Sequence, residues 1–500
     1  MTFRFPAVVL SLMALLGGLI YMLHLFGLVT AANEVYARFC ALGLFAAGFL
    51  LLGWQKVKSH RFSWDDFYKN DTPVIVALSI LLCSLFFKSK SFYCIHFFVV
   101  VSLIHLLCTR KFYAPPKFFY FIFAYALLLF LGTIGTEKGF RLPDKAINFI
   151  ILPLSFCCFK LPKKTLLQIA DFFLKTAILF LAVCILYWFY NFWHLEAHFI
   201  KWITGKTSYL AQMTGWEQVG AGTFIQNLDN ALSKDTFVLY PAFLFVNSWA
   251  YFYHPTANAI VLLGGLTVSF YLYFQKDSNS SFSKWNLFLY IALCLFTLML
   301  IESRIGIVGF FVISGISVLY YLKLKLSSKY FKIVLLLCVL FAGAGSVVFK
   351  DKISGFSSDP IRDSYRKIAV SYISENFYWG SAFDGQRVAL EQQAEKIKDT
   401  LPPIVYPHIE EPIYFVHNQY LGNMVEFGIG GLIVLLAMLV AIGYYAIKNR
   451  NYALLAFLCF MLFMMWVDEG EDTIRLIFIL FFTAFSEAEK NNTRILSLRK

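Results

Sequence analysis

Charged residues are scarce in this sequence. They make up 15% of the 500 residues, whereas hydrophobic residues make up 59%. Soluble domains have about 25% charged and about 45–50% apolar residues. The composition therefore excludes an ordinary soluble protein and indicates a polytopic membrane protein.

Acidic residues are the scarcer charge, with 30 Asp and Glu against 43 Lys and Arg, which gives a net charge of +13. The basic residues are scattered in short loops between apolar stretches. The positive-inside rule explains that distribution better than a nucleic-acid partner does, so we expect no nucleic acid to bind.

Metal and disulfide motifs are also missing. The ten cysteines lie in or against apolar stretches, with no CxxC, and we interpret them as small hydrophobic residues. The sequence has no HExxH, and its two long loops have no DxD. We therefore expect neither a metal site nor another cofactor.

Long apolar runs dominate the chain instead. A membrane-spanning helix needs about 20 apolar residues. The first run has no clear cleavage site and is expected to be a retained span. Three of the fourteen candidate segments are short, namely 146–159, 453–467 and 474–486. The candidates are 6–31, 37–54, 72–87, 91–109, 117–133, 146–159, 166–194, 256–275, 285–302, 305–322, 331–349, 419–446, 453–467 and 474–486. The expected fold class is an all-α polytopic integral membrane protein with 12–14 transmembrane helices.

Alternate loops carry most of the Lys and Arg residues, which places those loops and both termini in the cytoplasm. The predicted organisation is transmembrane helices over 1–194, a first periplasmic loop over 195–255, transmembrane helices over 256–349, a large periplasmic loop over 350–416, transmembrane helices over 417–486 and a cytoplasmic tail over 487–500. The large loop contains RVALEQQAEKIKDTL, which predicts an amphipathic helix with Leu390, Ala394, Ile397 and Leu401 on one face.

Several polar residues converge on the outer side, where ionisable groups near a membrane suggest function. They are Glu302, Ser303 and Arg304 in a tight turn, Arg362 and Arg366 at the loop entry, His417 and Asn418 before an apolar run, and Asp468, Glu469, Glu471, Asp472 and Arg475 in the last outer turn. Each has an ordinary explanation. Arg304 could be an interfacial anchor, His417 and Asn418 a helix cap, and the others solvated surface charges.

Taken together, these residues suggest a specific chemistry. Arginines beside an apolar slot can bind a diphosphate bidentately and stabilise its departure without a metal. A histidine can accept the proton of an attacking hydroxyl near neutral pH. A polyprenyl diphosphate, with an apolar tail and an anionic head, matches such a site.

Three motifs resemble the bacterial O-antigen ligase and polymerase (Wzy_C-type) superfamily. The turn ESRIG is similar to the family's S/T-R-x-G/A, Arg362 and Gly380 resemble its R-x(17)-G, and HNQYLGNMVEFGIGG resembles its H-N-x-Y/E-L-x(4)-E-x-G-x-x-G. Arg366 and Phe377 stand where the family usually has an aromatic residue and a proline. His254 resembles a histidine that opens a family helix.

The resemblance implies a fold like that of C-type glycosyltransferases in the bacterial inner membrane, with a periplasmic active site. It implies metal-independent transfer of a preassembled glycan from undecaprenyl diphosphate to lipid A–core in lipopolysaccharide biosynthesis. His417, Arg304 and Arg362 would be catalytic. Substrate would contact Asn418, Arg366, Tyr420, Asp468, Arg475 and His254. Glu426, Gly428 and Gly431 would serve helix packing.

Other functions stay open at this point. A polymerase would extend the glycan on its carrier, and a protein O-oligosaccharyltransferase would use serine or threonine acceptors. A polysaccharide or lipid-carrier transporter would need a polar pathway through the bilayer, and the spans before residue 256 offer few interior charges apart from Asp171 and Lys175.

Overall fold

The computed structural model describes residues 71–86, 88–132, 144–203, 255–274, 284–301, 303–327, 330, 360–381, 386–401, 416–467 and 472–498. These residues form helices and connecting turns, with no strand among them. Helices suit a membrane because their backbone groups are bonded within the segment. The expected all-α membrane fold is therefore confirmed over this part of the chain.

The described α-helices, in chain order, are α1 (Thr72–Ser84), α2 (Lys88–Thr109), α3 (Phe119–Leu131), α4 (Asp144–Phe156), α5 (Lys163–Ile203), α6 (Pro255–Phe274), α7 (Lys284–Leu300), α8 (Arg304–Lys325), α9 (Pro360–Glu375), α10 (Gln386–Lys396), α11 (Gln419–Lys448), α12 (Tyr452–Val467) and α13 (Asp472–Leu498). Four stretches are long and apolar enough to cross a membrane: Lys163–Leu186, Ala257–Phe274, Ile305–Lys323 and Gln419–Lys448. The total of 12–14 spans stays a prediction.

Two helices run further than the apolar patterns suggest. Helix α5 continues to Ile203, beyond the predicted span end at 194, and α13 continues to Leu498, beyond 486. With 41 residues, α5 is about 60 Å long at 1.5 Å per residue, about twice the thickness of the hydrocarbon core. The apolar pattern predicts where the lipid-facing part of a helix ends, and both α5 and α13 remain helical beyond that point.

The chain divides into two compact units. The first comprises residues 1–109, 167–265 and 276–307, and the second comprises 110–166, 266–275 and 308–500. In the first unit, the Tyr290 hydroxyl donates to the Leu262 carbonyl at 3.0 Å, and its ring lies against Gly265, where a side chain would collide with it. This contact brings α7 close to α6.

The second unit has a phenylalanine core between its last two helices. The ring of Phe457 on α12 lies 5.4 Å from that of Phe478 and 5.6 Å from that of Phe482, both on α13. Asn451 stabilises the same helix pair, since its amide donates to the Phe482 carbonyl and to Ser486 Oγ, each at 2.7 Å.

The large loop carries a helix pair of its own. Helix α10 runs from Gln386 to Lys396, and Leu390 and Ala394 are buried in one cluster as predicted. Ile397 and Leu401 also pack in this cluster but lie beyond the end of the helix, which is shorter than predicted. The same cluster includes Ile368 of α9 and Val425 of α11, which fixes the loop to the end of a membrane helix.

A polar clamp joins α9 to α10. Gln393 is buried, and its amide donates to Glu375 Oε1 at 2.8 Å and to Ser371 Oγ at 2.9 Å. Lys396 Nζ lies 2.9 Å from Glu375 Oε2. The hydrogen bonds from Lys396 and Gln393 lower the pKa of the Glu375 carboxyl below its ordinary 4.5.

We expect this clamp to weaken in acid. A carboxyl with a lowered native pKa stabilises the fold above its unfolded pKa near 4.5, and the effect is lost as the pH falls through the native pKa. Hydrogen exchange of α10 should therefore show a larger difference between wild type and Glu375→Gln at pH 6 than at pH 3. Glu395→Gln is the control, because its partner Lys398 lies three residues away rather than on α9. Equal effects of the two variants would contradict the clamp.

Candidate active site

Helix α11 is broken at Gly428. This residue has φ +61° and ψ −159°, a conformation that is essentially restricted to glycine. We name the part before the break α11a (419–427) and the part after it α11b (429–448). A side chain at Gly431 would lie 2.7 Å from the Asn423 carbonyl oxygen, although eight residues advance a straight helix by about 12 Å. Helix α11a therefore folds back towards the start of α11b, and the span expected over 419–446 is present as a helix broken at Gly428.

A segment of the large loop, 377–381, lies against this break. The N–H of Ile429 donates to the Phe377 carbonyl at 2.9 Å, and the N–H of Ser381 donates to the Val425 carbonyl at 2.7 Å. A break frees backbone groups on both sides, and such groups are costly near a membrane unless they are bonded. The loop segment bonds one freed group on each side.

Two glycines make this contact possible. A side chain at Gly380 would collide with the backbone of Glu426 and Phe427, and one at Gly428 would collide with the backbone of Tyr378. The family motifs that contain Gly380 and Gly428 are thus two sides of one backbone contact. Their role differs from the helix–helix packing that the resemblance implied, because Gly428 ends a helix.

Helix α11a is held between two neighbouring helices. On one side, the Tyr420 hydroxyl donates to the Leu462 carbonyl of α12 at 3.0 Å. On the other, the Tyr125 hydroxyl of α3 donates to Asn423 Oδ1 at 3.0 Å. The short helix and the residue that precedes it are therefore rigidly placed.

Asn418 caps α11a. Its Oδ1 accepts from the Leu421 N–H at 3.0 Å, and its amide donates to the Trp466 carbonyl at 2.9 Å. The ordinary explanation of Asn418 as a helix cap is confirmed. Direct contact of Asn418 or Tyr420 with substrate stays a prediction, since both side chains already form hydrogen bonds within the protein.

His417 occupies the position directly before this cap. Its φ of +53° is left-handed, which is uncommon for a residue other than glycine. Such a conformation costs about 1–3 kcal/mol and persists only where the surroundings determine it. The buried Val416 on one side and the bonded Asn418 on the other provide that constraint.

Helix α9 places an aromatic ring over His417. The Tyr365 ring stacks on the imidazole with centroids 6.2 Å apart and planes inclined by 10°. Arg362 precedes Tyr365 by three residues, about one helical turn, so both lie on one face of α9, and Arg366 follows Arg362 by four residues. The structure thus brings His417 against the helix that carries both arginines.

The Arg366 guanidinium has a hydrogen-bond donor that the described residues do not use. Its Nη1 lies 3.4 Å from Asp363 Oδ1, a long contact, and its Nε is buried with no hydrogen-bond partner among the described residues. A buried guanidinium nitrogen without a partner is unusual. An anion beside α9 would supply the missing acceptor.

Arg475 lies close to α11a but deeper in the second unit. It is 2% exposed and lines an apolar crevice of about 450 Å³ together with Tyr125 and residues of α11b, α12 and α13. Tyr125 links this crevice to α11a through its bond to Asn423. An arginine in an apolar surround is the arrangement that the sequence predicted for substrate binding.

Arg304 is the first residue of α8, in the first unit, and its side chain is not described. The turn before it is well defined: Ser303 Oγ accepts from the Gly306 N–H at 3.1 Å, and a side chain at Gly306 would lie 2.5 Å from Leu298 Cδ2. Ser303 and Gly306 of the S-R-x-G motif therefore build the turn that presents Arg304.

Two predicted site residues, His254 and Asp468, lie outside the described residues, as do Glu302, Glu469 and Glu471. Within the described ranges, no group of three or more His, Cys, Asp or Glu residues could hold a metal ion. Metal independence stays a prediction.

Sequence reasoning missed Tyr365, Asn423 and the helix break. Tyr365 falls three residues after Arg362, at a position that the R-x(17)-G motif does not specify. Asn423 is a single polar residue in an apolar run, and nothing in the sequence distinguishes it. The closely spaced Gly428 and Gly431 were the available signal for the break.

We expect Gly428→Ala to destabilise the protein far more than Gly430→Ala. Alanine at 428 adds about 1–3 kcal/mol of backbone strain and a collision with Tyr378. At Gly430 a side chain meets no atom within 4 Å, so alanine should be neutral or stabilise by up to about 1 kcal/mol through helix propensity. Thermal unfolding in detergent measures both, and equal midpoints would refute the break.

Comparison with known families gives a match in this part of the chain. Residues 289–436 match the family model described as Wzy_C, O-antigen ligase. This region contains Arg304, Arg362, Arg366 and His417 and runs from α7 into α11. No curated protein matches the chain in sequence. Wzy_C proteins are glycosyl-transferring enzymes, and residues 289–436 of this membrane protein are similar to that O-antigen ligase family.

Proposed function

We propose that the protein is an O-antigen ligase. It transfers a preassembled glycan from undecaprenyl diphosphate to the lipid A–core acceptor at the periplasmic face of the bacterial inner membrane, in lipopolysaccharide biosynthesis. The observation that carries the proposal is the position of His417, fixed before the cap of α11a and stacked under Tyr365 of α9, the helix that also carries Arg362 and Arg366. The Wzy_C match over the same residues supports it.

In the proposed reaction, the acceptor hydroxyl oxygen attacks the anomeric carbon of the donor. The bond between that carbon and the diphosphate oxygen breaks, and undecaprenyl diphosphate leaves with the electron pair. His417 takes the hydroxyl proton. Arg362 and Arg366 neutralise the charge that develops on the diphosphate, a role that the resemblance also implies for Arg304.

The surrounding contacts explain why the imidazole is in place before substrate arrives. Its backbone is fixed on both sides, and the Tyr365 ring restricts rotation of the side chain. Positioning of a catalytic group in advance removes an entropic cost from the reaction.

The first test is a lipopolysaccharide gel from a deletion strain complemented with wild type or His417→Asn. Asparagine tolerates left-handed backbone, so the fold should survive while the imidazole is lost. We expect intact core without a polymer ladder, and transfer about 10²–10⁴-fold slower in vitro. His96→Asn on α2 is the matched control.

Other results would redirect the proposal. In the deletion strain, a core capped by a single repeat unit would indicate a polymerase. An unchanged ladder in that strain would point to a protein acceptor or to transport. Near-normal turnover of His417→Asn would show that the histidine is not a base.

Tyr365 offers an independent check of the geometry. Tyr365→Phe keeps the stacked ring and should keep most activity, whereas Tyr365→Ala should lower kcat with little change in KM because the imidazole is less well positioned. Initial rates at several acceptor concentrations separate the two constants. Equal rates for the two variants would show that stacking does not position His417.

A further inference from the structure

A second polar neighbourhood lies at the opposite, basic end of the second unit. The loop 110–118 joins α2 to α3, and the loop 157–162 joins α4 to α5. The Tyr113 N–H donates to the Cys157 carbonyl at 2.8 Å, and Lys160 Nζ lies 5.8 Å above the Tyr113 ring. The two loops therefore form one surface.

This surface is strongly basic. Residues 110–118 and 157–166 contain no Asp or Glu and six Lys or Arg: Arg110, Lys111, Lys117, Lys160, Lys163 and Lys164. Lys117 and Lys164 are exposed, and Lys160 is half-buried. The positive-inside rule accounts for the sign of the charge and for a cytoplasmic location. It does not account for a cavity between the loops.

Such a cavity is present. An open crevice of about 560 Å³ lies between the two loops and α13, and Lys160 and Tyr113 line its loop side. Its walls are mainly apolar, with Phe119, Phe159 and Leu480 among them. An apolar crevice with a basic rim complements a molecule with an anionic head and a hydrocarbon chain.

The acidic residue in the lining does not contradict this polarity. Glu487 belongs to α13, across the crevice from the basic loops, and its carboxylate accepts a hydrogen bond from the Tyr445 hydroxyl at 2.6 Å. The positive charge is therefore concentrated on the loop side, and an anionic group would bind there.

We propose that this crevice binds an anionic phospholipid of the cytoplasmic leaflet. The phosphate lies on Lys117, Lys160 and Lys164, and the first part of an acyl chain follows the apolar walls. Anionic lipids are attracted to basic segments beside membrane helices, and basic pockets between helices bind their headgroups. A soluble phosphate or nucleotide would leave the apolar walls unused. The site is separate from His417 and does not depend on the proposed reaction.

The test is native mass spectrometry of the full-length protein titrated with phosphatidylglycerol or phosphatidylcholine of identical acyl chains. We expect at least about tenfold preference for phosphatidylglycerol, and about fivefold weaker binding for each basic residue removed in Lys117→Ala, Lys160→Ala and Lys164→Ala combined. Lys325→Ala with Lys448→Ala is the control, since both are exposed basic residues outside the two loops that border the crevice.

Three outcomes would overturn the proposal. They are equal binding of the two lipids, an unchanged preference in the triple variant, and displacement of the lipid by inorganic phosphate alone. Thermal unfolding of both variants in detergent shows whether either has lost its fold. Lys117→Ala with Lys164→Ala, which changes only exposed side chains, replaces the triple variant if that one unfolds.

Discussion

The backbone contact between Gly380 and Gly428 is the constraint on which the rest of the site depends. A membrane helix that stops in mid-course leaves donors and acceptors that lipid cannot satisfy. Here a loop segment supplies the missing partners, through the Phe377 carbonyl and the Ser381 N–H. Because neither glycine has room for a side chain, the loop and the helix approach at backbone distance. The loop is thereby part of the helix end rather than a separate cover.

This arrangement explains how a polar residue can be held rigidly beside a hydrophobic bundle. Once α11a folds back, α3 bonds its Asn423 and α12 bonds its Tyr420, while α9 stacks a ring on His417 just before it. The strain of a left-handed histidine is offset by these contacts. Strain that surrounding structure maintains is a recurrent feature of functional sites.

The sequence predicted the helical fold, but it predicted only some of the residues and contacts of the site. Apolar runs identify helices reliably because lipid allows few alternatives, and the amphipathic face around Leu390 followed from simple periodicity. The break at Gly428 could not be derived in the same way, since hydropathy carries no information about backbone dihedral angles. The stack of Tyr365 on His417 joins residues 52 positions apart and depends on the packing of α9, which no local pattern records.

The order of synthesis gives the helix break a further consequence. Segment 377–381 leaves the ribosome before residues 425–429, so it has no partner until the later helix has been made and inserted. A nascent chain that ends before Ile429 contains the loop, the histidine and the arginines, yet lacks the N–H that the Phe377 carbonyl accepts. The surroundings of His417 are therefore completed by the membrane span that follows it, and they cannot form before that span is inserted.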